Sequence, residues 1–120
     1  MKATTTATIK PLITYDELDR MDIRVGTIHR VEDIPGADYV VRLIVTFGDH
    51  TRKILAAIKQ ERENPREIEG KQALFVVNVE PRKMMGEISE GMLFDIGYAD
   101  KITPVLAVPE HPVPDGTRAG

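Results

Sequence analysis

A chain of 120 residues carrying a net charge of −3, with 42% hydrophobic and 29% charged residues, is sized for one domain around one core. Such a composition excludes the disordered and membrane-spanning classes, and the lack of any cysteine excludes a disulfide framework, a thiolate zinc site, an iron–sulfur cluster and a cysteine nucleophile. The Thr-rich start, Met1 to Lys10, has no signal-peptide core, and no apolar stretch reaches about 18 residues, so the expected location is cytoplasmic with no membrane contact.

In chain order, residues 1–12 read as an N-terminal arm, followed by one domain over 13–120 with a C-terminal extension from about residue 99. Thr14 and Glu17 have capping-box spacing, with Ile13 and Leu18 placed as a hydrophobic staple, so a short helix is expected over Ile13 to Arg20. A first strand starts at Asp22; its alternation slips at Gly26, which predicts a bulge or sharp bend there. After the turn Ile34-Pro-Gly-Ala-Asp38, a second strand puts Tyr39, Val41, Leu43, Val45 and Phe47 on one face. Gly48-Asp49 turns into a third strand, Thr51 to Ile58. Asn64 and Pro65 then open a short helix that ends at Gly70. Gln72 to Val79 is apolar on both faces and therefore central, the stretch Pro81 to Gly91 reads as a loop, and Met92 to Tyr98 is a fifth strand. This order predicts an all-β fold: a five-stranded OB-fold barrel with a short helix between strands 3 and 4 and a short N-terminal helix.

Catalytic constellations fail on spacing. His29, His50 and His111 lie too far apart for a paired imidazole site, and Gly86 to Gly91 has the outer spacing of a phosphate loop without the Lys and Ser or Thr that should follow. The reading is of a non-enzyme without metal or cofactor. Positive charge concentrates in the middle of the chain, in Arg52, Lys53, Lys59, Arg62, Arg66, Lys71, Arg82 and Lys83. The stretch from Asn78 to Met92 holds the connection between strands 4 and 5, a place where OB folds bind oligonucleotides. Here Arg82 and Lys83 are expected to project two cations from one rigid rim, with Arg suited to a phosphate or base edge. Met84 either lies against a base or fills a gap beneath the loop, and Gly86 lets the backbone turn. An ordinary solvated loop is the alternative.

The segments Asp22-Ile-Arg-Val-Gly-Thr-Ile28, Pro35-Gly-Ala-Asp38, Arg52-Lys53, Asn78, Pro81-Arg-Lys-Met84, Gly86, Ser89 and Gly91-Met92 resemble the tRNA-binding domain found on methionyl- and phenylalanyl-tRNA synthetases and in small stand-alone proteins. The resemblance implies an OB fold, recognition of tRNA by its shape, no catalysis and a homodimer in stand-alone members. It implies an RNA-binding set of Arg52, Lys53, Asn78, Arg82, Lys83, Met84, Gly86, Ser89 and Met92. The tail Gly97-Tyr-Ala-Asp100 and Pro112-Val-Pro-Asp-Gly-Thr-Arg118 is more similar to the export-related chaperone CsaA, a branch that implies binding of unfolded preproteins. Met85 and Ala57 depart from the tRNA-binding pattern, which tends to have a basic residue and a glycine there. An aminoacyl-tRNA synthetase is a further implied partner. Apolar residues outside the barrel, Ile13, Leu18, Val105, Leu106 and Val108, are expected to form the dimer interface.

Overall fold

The computed structural model describes residues 6–120; residues 1–5, the start of the expected arm, lie outside the described residues. The chain enters the fold through helix α1 (Tyr15–Asp19), set by the predicted capping box. The Glu17 N–H donates to Thr14 Oγ1 at 3.1 Å and the Thr14 N–H donates to Glu17 Oε1 at 3.0 Å. Ile13 and Leu18 remain exposed on either side of it.

Seven strands follow: β1 (Ile23–Asp33), β2 (Val41–Thr46), β3 (Thr51–Ala56), β4 (Gln72–Val76), β5 (Arg82–Met84), β6 (Glu87–Ser89) and β7 (Met92–Leu93). Five make one curled antiparallel sheet in the order β3-β2-β1-β4-β7, the all-β OB arrangement read from the sequence, while β5 and β6 pair separately as a hairpin. The helix expected between the third and fourth strands is a single 3-10 turn, Pro65–Ile68, with the Arg66 N–H donating to Asn64 Oδ1 at 3.1 Å. One side of the barrel has no continuous ladder. There Glu90 closes the seam to β3: its N–H donates to the Lys53 carbonyl at 2.8 Å, and its Oε1 accepts from the Lys53 N–H at 2.9 Å.

Alternation along β2 buries Val41, Leu43 and Val45, with Phe47 just beyond, against Ile28, Ile54, Ile68 and Phe75. Phe47 and Phe75 meet edge to face at 5.6 Å. Tyr39, expected on this face, lies before the strand and is exposed. β4 sits between β1 and β7, which is why its apolar residues point both ways.

Three sequence expectations are corrected. The irregularity in β1 falls between Ile28 and Arg30, not at Gly26. Gly26 serves close packing: a Cβ there would stand 2.6 Å from Val45 Cγ1 and 2.8 Å from Phe47 Cε1. The slipped parity arises because Val25 is buried where the C-terminal tail lines the strand, its N–H donating to the Thr117 carbonyl at 2.8 Å and its carbonyl accepting from the Gly116 N–H at 2.7 Å. The fifth strand stops at Leu93 instead of running to Tyr98. Gly97 and Lys101, at φ of 106° and 59°, bracket a 3-10 turn (Tyr98–Asp100); beyond Leu93 the Phe94 N–H still donates to the Leu74 carbonyl at 3.0 Å, and Ile96 pairs with Val105. Finally, the supposed loop from Pro81 to Gly91 is the β5–β6 hairpin.

Candidate nucleic-acid interface

The hairpin stands out because it is ordered from both ends and at its turn. Residues Met85 and Gly86 link β5 to β6 with φ of 51° and 77°, the two successive left-handed residues of a type I′ connection. In the ribbon Arg82 faces Ser89, Lys83 faces Ile88 and Met84 faces Glu87. Strand alternation therefore puts Arg82, Met84, Glu87 and Ser89 on one face and Lys83 with Ile88 on the other.

The first face is clamped to the barrel. Ser89 is 3% exposed; its Oγ accepts from the Leu55 N–H at 2.9 Å and donates to the Gly91 carbonyl at 2.9 Å. Glu87 takes a two-pronged contact from Arg42, Nε to Oε1 at 2.8 Å and Nη2 to Oε2, while Lys53 Nζ stands 3.4 Å from Oε1. The Arg42 guanidinium holds the Glu87 carboxyl below its ordinary value, against the opposing effect of partial burial. Met84 is half-buried against Ile34, Ala37, Leu55 and Val40, so it fills the gap beneath the ribbon.

Arg82 and Lys83 are both exposed, and among the described residues no carboxylate pairs with either. They do not form the single rim expected of adjacent residues. Arg82 lines a groove of about 360 Å³ with Met84, Ser89 and Met92, whereas Lys83 belongs to the outer face. Gly86 forms the tip. The structure thus collects six of the nine sequence-selected RNA-binding residues on or beside one hairpin.

The other three are arranged differently. Lys53 approaches the hairpin from β3, but its charge lies near Glu87. Arg52 Nη1 donates to the carbonyls of Val77 at 2.7 Å and Glu90 at 3.1 Å, with its guanidinium 5.9 Å over the Phe47 ring. Asn78 accepts from the Asp22 N–H at 2.8 Å and donates to the Arg20 carbonyl at 2.6 Å, fixing the entry into β1. Sequence reasoning missed Arg42 and Glu87, whose pairing across 45 positions has no local signal, and the groove residues Glu61, Asp95 and Tyr98. No group of three or more His, Asp or Glu suited to a metal ion occurs among the described residues.

Of the residues expected at a dimer interface, Ile13, Leu18, Val105 and Val108 are at least half exposed, while Leu106 packs against the barrel core. No helix among the described residues is long and apolar enough to cross a membrane.

Comparison with known proteins bears on this surface. Residues 23–118 match the family described as "Putative tRNA binding domain". A methionine–tRNA ligase of Chlorobium chlorochromatii is 38% identical over 91 residues, which are 76% of this chain but 13% of that protein. The crystal structure of a MetRS-related protein from Pyrococcus horikoshii superposes with a TM-score of 0.84 at 33% identity, covering 92% of this chain and all of the other. The chaperone CsaA from Bacillus anthracis gives 0.78 at 27% identity, again over 92% of this chain and all of that one. With the match spanning every strand from β1 to β7, the chain belongs to the tRNA-binding domain family.

Proposed function

We propose that this chain is a non-catalytic tRNA-binding protein that recognises tRNA by its shape, through the β5–β6 hairpin and the adjoining basic face of β3. The observation that carries the reading is that Arg82 and Lys83 stand exposed and, among the described residues, without carboxylate partners on a hairpin clamped to the barrel, although the chain's net charge is −3. Of the cations nearby, Arg42 and Arg52 are engaged by a carboxylate or by carbonyls, and Lys53, on the β3 face, is shared with Glu87, so Arg82 and Lys83 carry the free charge. A free guanidinium and a free ammonium on opposite faces of a narrow ribbon suit two phosphates better than one base edge. Shape, more than duplex sequence, is what such contacts read, because the A-form major groove is too narrow for side chains.

Two phosphate contacts bind weakly, and a second copy would raise avidity without new chemistry. The exposed apolar residues Ile13, Leu18, Val105 and Val108 support a homodimer. Likeness to a segment of a methionine–tRNA ligase supports a role in the cytoplasm beside an aminoacyl-tRNA synthetase.

A second reading has its own observation. Met85 and Ile88 are 51% and 52% exposed on the same hairpin, and such apolar surface suits an unfolded segment, as a CsaA-type chaperone would require. Titration of total tRNA and of an unfolded peptide at two salt concentrations separates the two. On the first reading Arg82→Ala weakens tRNA binding several-fold and leaves the peptide untouched; the reverse pattern supports the second.

A further inference from the structure

The groove beside Arg82 has a chemical character of its own. Its walls are apolar, supplied by Leu55, Met84, Met92 and Tyr98, and its volume of about 360 Å³ falls at the lower end of small-ligand pockets. Three carboxylates line it, Glu80 two positions before Arg82 and the pair Glu61 and Asp95. Glu61 Oε1 is buried without any hydrogen-bond donor, and its neighbour Arg62 Nη1, also without a hydrogen bond, comes no closer than 3.6 Å. Burial pushes the Glu61 and Asp95 carboxyls above their ordinary values, and for Glu61 the nearby Asp95 charge adds to the effect. Among the described residues Arg62 is the one cation paired with Glu61 and none pairs with Asp95, so acceptors outnumber partnered donors in the groove.

We infer that this groove receives a single unpaired nucleobase whose amino edge donates to Glu61 and Asp95, while the attached phosphate lies on Arg82. This rests on the tRNA reading above and deepens it. A flat ring between Met84, Met92 and Tyr98 buries apolar surface in the manner of single-stranded RNA modules. Cytosine offers its N4 amino group, adenine its N6, and guanine adjacent N1–H and N2–H donors. Uracil presents two carbonyl oxygens on either side of one N–H, and carboxylates repel them. The pocket therefore discriminates by donor pattern, with acidic side chains accepting from an amino group.

The test uses the full chain and two RNA hairpins of identical stem, one ending in a 3′ overhang of three cytidines and the other of three uridines. Wild type is expected to bind the cytidine end about tenfold more tightly, the magnitude of one good base contact. In Glu61→Gln combined with Asp95→Asn the ratio should fall to less than about twofold, since amides donate to uracil as readily as they accept from cytosine. Asp95→Asn alone, which leaves the buried Glu61 in place, should lower the ratio in the same direction if the double variant does not fold. Equal binding of both ends by wild type, or a ratio unchanged in the variants, overturns the base pocket while tRNA binding itself stands. Absence of any tRNA binding overturns both readings. A basic unfolded peptide that loses affinity in the variants while both RNA probes are unaffected would reassign the groove to peptide and also overturn the inference.

Discussion

Met85 adopts φ of 51° immediately before Gly86 at 77°, and only the second of these residues is suited to that conformation. A type I′ connection favours Asn-Gly, so Met85→Asn should raise stability by about 0.5–1 kcal/mol, read as a higher midpoint in urea with an unchanged slope. A midpoint equal to or below wild type would mean that the Met85 side chain makes contacts worth more than the backbone strain. The same pair explains why the hairpin is hard to see in the sequence: Met-Gly is not a turn signal, and three-residue strands are too short for alternation to register. Ser89 and Asn78 are a different case. Resemblance selects both as RNA contacts, yet their side-chain donors and acceptors are engaged within the fold, and no residue type distinguishes the two uses. Arg82 and Lys83 were legible as cations, but their separation onto opposite faces depends on a strand that local pattern does not reveal.

The β5–β6 hairpin has little core of its own, and its attachment to the barrel runs through Glu87 and Ser89. Because Arg42 depresses the Glu87 carboxyl in the folded protein, the stabilisation is complete above its ordinary value of 4.5 and is lost as pH falls through the lower, folded value. Amide protection factors over residues 82–89 should therefore drop below pH 4.5 while those of β2 and β4 hold, and Glu87→Gln should remove the pH dependence. Protection that stays level into the acid range would mean that Ser89 and Met84 hold the ribbon unaided. Elements with strong periodicity were readable: β2 by alternation, β4 by its two apolar faces and α1 by its capping box. The tail that lines β1 was not, since Pro112, Pro114 and Gly116 interrupt any pattern and its pairing is set by bonds to Ile23 and Val25 more than ninety residues away.

At the scale of the whole molecule, the described residues leave apolar side chains exposed along one stretch before β1 and another after β7, including Ile9, Leu12, Ile13, Val105 and Val108. A two-fold interface would cover them, and light scattering at micromolar concentration should give about twice 13.4 kDa, whereas the single mass would exclude a stable dimer under those conditions. A paired molecule carries four free hairpin cations in place of two, which matters for an acidic protein approaching a polyanion. Those cations release condensed counterions when they meet phosphates, and that release is directly measurable. The decisive measurement is the affinity for tRNA across a salt series: the logarithm of the association constant should fall linearly with the logarithm of salt concentration, with the slope shrinking by roughly 0.7–0.9 for each phosphate contact that Arg82→Ala or Lys83→Ala removes, and by twice that where both copies of a dimer hold one tRNA. An affinity insensitive to salt, or a slope that neither substitution alters, would contradict phosphate recognition by this hairpin.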